Sequence, residues 1–120
     1  MLKQTQALLA SEPDMSNPLQ LLTDVLAASI ELVSLEGNDF TWSSWKDPEH
    51  ALGELQALLE TTQAGVVPKQ SAVSILFAPT GSLQELSMSS GWAEQYLRLA
   101  ERFDAAERSL WRTGNAGPHS

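Results

Sequence analysis

The chain has 120 residues, 42% of them hydrophobic, and a formal net charge of −8 at neutral pH. That length fits one domain able to bury about 65% of the surface its unfolded chain exposes, so folding requires no metal or covalent staple. Without cysteine, a disulfide framework, thiolate zinc sites and cysteine nucleophiles are all excluded.

The charge is unevenly placed. Between Gln4 and Pro68 ten acids face the single base Lys46, whereas from Lys69 onward five acids balance five bases. An acidic field repels phosphate backbones and anionic lipid, which argues against nucleic-acid and membrane binding, and it attracts a basic protein surface. Solubility alone also accounts for acidity of this size. No stretch approaches the roughly 20 apolar residues of a membrane span, and the apolar run Ala7 to Ala10 is too short for a secretion signal. A cytoplasmic protein is the expectation.

Taken in chain order, residues 1–15 read as a leader, loosely ordered or a short helix, with SEPD as a breaker and Met15 as an alternative start. Residues 16–112 read as a single helical domain, and 113–120 (TGNAGPHS) as a disordered tail. The first marked helix spans about Pro18 to Leu35, with Asn17 as N-cap, Pro18 in the first turn and Gly37 placed to end it. Leu19, Leu22, Leu26, Ser29, Ile30 and Val33 form one stripe, and Leu21, Ala28, Leu32 and Leu35 a second beside it. A helix apolar over more than half its circumference is either central in a bundle or part of an interface. The next helix opens at KDPEH, with Asp47 as N-cap, Pro48 as first residue and Glu49 at the positive end of the dipole, and closes at Gly65. Its narrow stripe of Ala51, Leu52, Leu55, Leu58, Leu59 and Thr62 is that of a surface helix.

A third helix is expected over about Pro68 to Ala78, with a buried strand as the alternative for SAVSILFA. The run FAPTGSLQELSMSSGW then reads as a corner. Pro79 and Gly81 make a turn, Ser82 with Glu85 forms a capping box for a short helix through Met88, and Ser89 and Ser90 offer a cap for the final helix. No lysine follows Gly81, as a phosphate loop would require. From Gly91 to Arg112, Trp92, Tyr96, Leu99, Phe103, Ala106 and Leu110 recur at helical steps, and Glu94–Arg98 and Asp104–Arg108 are spaced as surface pairs. The fold expected is all-α, an irregular bundle of four or five short helices.

LFAPTGSLQELSMSSGW followed by YLRLAERFD, with WSSWKDPEHALGEL upstream, resembles a small family of bacterial domains of unknown function. The likeness covers Trp42 to Phe103. It implies a bacterial source and a compact helical domain, and it transfers no catalytic residue.

Catalytic chemistry finds little support. His50 and Glu54 are one turn apart, but no HExxH, ExxH or DxD completes a metal site, and the pair reads as a surface contact beside the capping Asp47 and Glu49. No GxSxG marks a serine nucleophile. No catalytic residue, metal or cofactor is therefore assigned, and an enzyme of unknown reaction ranks third. What remains is FTWSSWKD between the first two marked helices. Trp42 and Trp45 either cover the end of the core or supply an aromatic anchor within the acidic half. The expectation is a non-catalytic binding protein with a basic protein partner, in concrete form an immunity-type inhibitor of a bacterial toxin or effector. Asp24, Glu31, Glu36, Asp39, Trp42, Trp45, Asp47 and Glu49 are its candidate contact residues. The alternative is a homo-oligomeric module, a homodimer formed through the Leu21–Leu35 strip.

Overall fold

The fold is known from a computed structural model that describes residues 2–10, 12, 16–41, 43, 45–78 and 81–112, the last by its backbone. Every described element is helical and no strand occurs among them, so the domain is an all-α bundle. Five helices have eight residues or more: α1 (Lys3–Ala10), α2 (Pro18–Val33), α3 (Pro48–Gln63), α5 (Ser82–Ser90) and α6 (Ala93–Glu107). The short α4 (Gln70–Ser74) runs on into a 3-10 turn, Ile75–Phe77, and α6 into a π turn, Arg108–Arg112.

The centre is α2. Asn17 Oδ1 accepts the Gln20 N–H at 3.2 Å, and Pro18 stands where its missing donor is harmless. The helix packs against α1, α3 and α6. Both apolar stripes are consequently inside: Leu22, Leu26 and Val33 from one, and Leu21, Ala28 and Leu32 from the other, are buried. The second strip is thus used within the chain, and a homodimer built on it would have to open the core. The helix ends at Val33 rather than Leu35. Asn38 turns back and donates Nδ2 to the carbonyls of Leu32 and Val33, each at 2.9 Å, taking up acceptors that another turn of helix would have used. Gly37, at φ +88°, makes the reversal that brings Asn38 there.

Of the two forms expected for residues 1–15, a loosely ordered segment or a short helix, the described part takes the short helix. Lys3–Ala10 is helical, lies on α2 and contributes Leu8 and Leu9 to the core. The tail 113–120 lies outside the described residues. The α3 helix starts on Asp47, whose Oδ1 accepts the His50 N–H at 2.8 Å. It closes where the Val66 N–H reaches the Thr61 carbonyl at 3.1 Å past Gly65. Only Ala51, Leu55 and Thr62 of this helix are buried, as its narrow stripe requires.

SAVSILF is helical and not a strand. Phe77 lies over Phe103 of α6 with ring centroids 4.4 Å apart, and the Tyr96 ring stands near-parallel to it at 6.1 Å. The corner that follows is tight. The N-cap of α5 is Gly81 rather than Ser82, which is already helical, so the capping box does not form as its spacing suggests. A Cβ on Gly81 would stand 2.5 Å from the Ile75 carbonyl oxygen and 2.9 Å from that of Ala78. At the other end of α5, Gly91 adopts φ +88° and Trp92, not a serine, precedes α6. The apolar face of α6 is the expected one, with Tyr96, Leu99, Phe103 and Ala106 buried. Trp111, in the π turn, donates Nε1 to the Pro68 carbonyl at 3.2 Å and ties that turn to the α3–α4 connection.

Two glycine substitutions separate close approach from helix propensity. Gly81→Ala is expected to destabilise by about 2 kcal/mol or more, because the atoms it meets are backbone and cannot swing aside. Gly53→Ala, mid-helix on the exposed side of α3 with nothing within 4 Å, is expected to stabilise by about 0.5–1 kcal/mol. Urea denaturation of the two variants beside the parent measures both.

Candidate functional site

The α2–α3 connection, residues 34–47, carries most of the candidate contact residues. Its conformation is fixed by side chains from far along the chain. Asp39 gives its N–H to Ser90 Oγ and receives the Ser89 hydroxyl on its carbonyl, both at 2.8 Å. The buried Trp92 donates Nε1 to Asn38 Oδ1 at 2.9 Å. Ser89 and Ser90 therefore do not cap α6. They clamp the connection to the end of α5, and Asn38 joins that clamp to the carboxyl end of α2.

Beyond Asp39 the backbone turns on local bonds. Asp39 Oδ1 accepts the Thr41 N–H at 3.0 Å, and the Thr41 hydroxyl and N–H together hold this carboxyl below its usual range. Ser43 gives its N–H to the Phe40 carbonyl at 3.2 Å, and its hydroxyl lies within 3.2 Å of the Trp45 carbonyl. An open depression of about 450 Å³ follows this path, lined by Phe40, Thr41, Ser43, Trp45 and Lys46.

Trp45 is not an exposed anchor. It is 2% accessible, part of the core cluster, and its indole N–H donates to Glu54 Oε1 at 2.9 Å. The physical reason is that Glu54, in the second turn of α3, gives the indole an acceptor at the edge of the core, so the ring is buried with its polar atom satisfied. Trp42 lies outside the described residues. The second Glu54 oxygen stands 3.3 Å from His50 Nε2, while His50 Nδ1 accepts the Lys46 N–H at 3.3 Å. His50 and Glu54 thus form the surface pair their spacing suggests, and the pair also steadies the end of the connection. No group of three or more histidine or acidic side chains among the described residues is arranged to hold a metal ion. No described helix is long and apolar enough to cross a membrane.

The remaining candidates divide by use. Asp24 accepts from Gln20 Nε2 at 2.9 Å on the open strip of α2. Glu31 is spent on α1, where its carboxylate accepts the N–H groups of Gln4 and Thr5, each at 2.8 Å. Asp39 shapes its own turn and Asp47 caps α3. Glu36, before Gly37, and Glu49, in the first turn of α3, are exposed carboxylates at the two ends of the connection. The structure gathers Glu36, Asp39, Asp47 and Glu49 along one segment and leaves Asp24 and Glu31 on α2. Reading the chain alone missed Asn38, Glu54, Ser89, Ser90 and Trp92 as the residues that position this segment. The serines already had a local use as caps, and nothing in their spacing points to a partner about 50 positions earlier.

Comparisons of this chain with family models, with curated protein sequences and with solved structures find no match.

Asn38 is the joint of the connection. Asn38→Ala is expected to cost about 2–3 kcal/mol, because two helix-end carbonyls and the buried Trp92 N–H lose their partner together. Chemical denaturation measures that loss, and the cost should shrink in a Trp92→Phe background, where the orphaned donor is absent.

Proposed function

We propose that this protein is a non-catalytic binding module that docks a basic protein partner along the α2–α3 connection, and in its most concrete form an immunity-type inhibitor of a bacterial toxin or effector. The observation that carries the reading is the combination found at the connection. Its backbone is clamped from within by Ser89, Ser90 and Trp92, while Glu36, Asp47 and Glu49 remain at the surface. A segment ordered before encounter loses little conformational freedom on binding, and exposed carboxylates raise the encounter rate with a cationic surface. Phe40, half-buried beside the depression, supplies apolar contact where Trp45 is withdrawn. The excess of acids before Pro68 adds a longer-range field of the same sign.

Absence of catalysis is part of the same proposal. His50 sits on the surface of α3 with Glu54, in a place suited to steadying a loop rather than to abstracting a proton from an enclosed substrate. A bacterial setting, which the resemblance of LFAPTG and SGW implies, is part of the same proposal.

Charge reversal tests the reading with little cost to the fold, because Glu36 and Glu49 are exposed. Glu36→Lys with Glu49→Lys is expected to slow association with the basic partner by about tenfold at low salt and to flatten the salt dependence of the rate. The partner is first obtained by capture on the intact chain and elution in a salt gradient, and stopped-flow or surface binding then gives the rate. An unchanged rate for the double variant would remove these carboxylates from recognition.

A further inference from the structure

The α1 helix has eight residues and is held at both ends by charged side chains from other helices. At its first turn Glu31 of α2 accepts the Gln4 N–H on Oε2 and the Thr5 N–H on Oε1, each at 2.8 Å, and the Thr5 hydroxyl on Oε1 at 3.0 Å. At its last turn Arg98 of α6 donates Nη2 to the Leu9 carbonyl at 2.9 Å. A carboxylate thus stands at the positive pole of the helix and a guanidinium at the negative pole. The helix has no acid in its own first turn and no base in its last. A helix this short does not persist alone in water, so α1 owes its form to being docked.

Its grip on the bundle is narrow. Thr5, Leu8 and Leu9 are its buried residues, and the Thr5 hydroxyl also lies 3.3 Å from the Ala28 carbonyl. An open groove of about 420 Å³ runs between α1, where Leu2, Thr5, Gln6, Leu9 and Ala10 line it, and Gln95 and Arg98 of α6. The other buried core residues, from Leu21 to Ala106, come from α2, the α2–α3 connection, α3, α4, the 75–77 turn, α5, Trp92 and α6.

We propose that α1 is a strap that Glu31 holds closed: neutralising this carboxylate releases α1 from α2 while the remaining helices stay folded, uncovering the part of α2 that Thr5, Leu8 and Leu9 cover. The same three bonds make the carboxylate's charge matter. Burial alone would raise the Glu31 pKa, but the N–H groups of Gln4 and Thr5 and the Thr5 hydroxyl outweigh it, and the group lies below its ordinary value of 4.5. With a depressed folded-state pKa, the contribution of the clasp is fully present above the unfolded value and is lost as pH falls through the folded one. The cationic side chains beside α1 are Lys3 in its own first turn and Arg98 of α6. The acids on the neighbouring helices are Asp24, two turns earlier on α2 and bonded to Gln20, and Glu94, one turn before Arg98 on α6.

Amide hydrogen exchange on the full chain, corrected for intrinsic rates, decides the matter. In Glu31→Gln at neutral pH the amides of α1 should exchange about tenfold faster than in the parent or more, with those of α2 and α6 unchanged. The parent should lose the same protection, in α1 alone, as the pH is lowered through the carboxylate range, and Glu31→Gln should show no such step. Unchanged protection of α1 in the variant overturns the proposal. So does loss of protection in α2 and α6 by the same factor, or a variant that does not fold, since either makes α1 one unit with the rest. Should the variant be lost to aggregation, the acid series on the parent gives the same answer by itself: release of α1 ahead of the bundle supports the strap, and a single common transition ends it.

Discussion

A helix enclosed on most of its sides has polar groups that water cannot reach, and everything around α2 is arranged to meet that constraint. Along its length the hydroxyls of Thr23 and Ser29 turn inward to the carbonyls of Leu19 and Val25, each at 2.8 Å, so two polar residues enter the interior without leaving a donor unmet. Its amino end is met by Asn17 and its carboxyl end by Asn38. The second of these satisfied ends has the larger consequence. By fixing Asn38 against α2 it sets where the chain leaves the core, and by accepting from Trp92 the same side chain joins α2 to the start of α6.

The described part of the α2–α3 connection is therefore a loop by dihedral angles but is tied to the helices by its bonds. Main-chain groups of Asp39 meet Ser89 and Ser90, and the far end is pinned by Trp45 on Glu54 and by Lys46 on His50. A loop held at both ends by hydrogen bonds to helices gains the rigidity of those helices while its outward side chains stay free to vary. That is the usual division of labour at a recognition surface, where a scaffold orders the backbone and the loop supplies chemistry.

The helices were legible because their signals are local. Asn17-Pro18 and Asp47-Pro48 are start signals a few residues long, Gly65 and Gly91 are stops, and the Trp92–Leu110 pattern shows a buried face without reference to anything else. The site was legible only in part. Asp39, Asp47 and Glu49 could be assigned to one connection from their positions, but the fate of Trp45 depended on an acceptor presented by α3, and the uses of Ser89 and Ser90 on a main chain 50 and 51 positions away. Periodicity carries no information about such pairings. The docking of α1 was hidden for the same reason: a short segment with a modest apolar run becomes part of the core through Glu31 and Arg98, both of which read locally as ordinary surface charges. Arg98 in particular has a helical neighbour at the right spacing in Glu94 and still finds its partner on another helix.

This double use of charge bears on what the acidity of the molecule means. Several carboxylates before Pro68 have structural duties: Glu31 on α1, Asp39 in its turn, Asp47 at the head of α3, Glu54 under Trp45. A duty of this kind does not cancel the charge. Hydrogen bonds from hydroxyl and N–H groups favour the ionised form, and for Glu31 and Asp39 they hold the pKa down, so both groups keep their negative charge further into acid than a free side chain would. The field seen by an approaching cation thus includes carboxylates that are fully occupied at home. Contact specificity is a different matter, because a donor on the partner requires an oxygen with capacity to spare. On the reading proposed above, steering would draw on the whole acidic half, whereas direct contact with a partner would fall to exposed carboxylates such as Glu36 and Glu49.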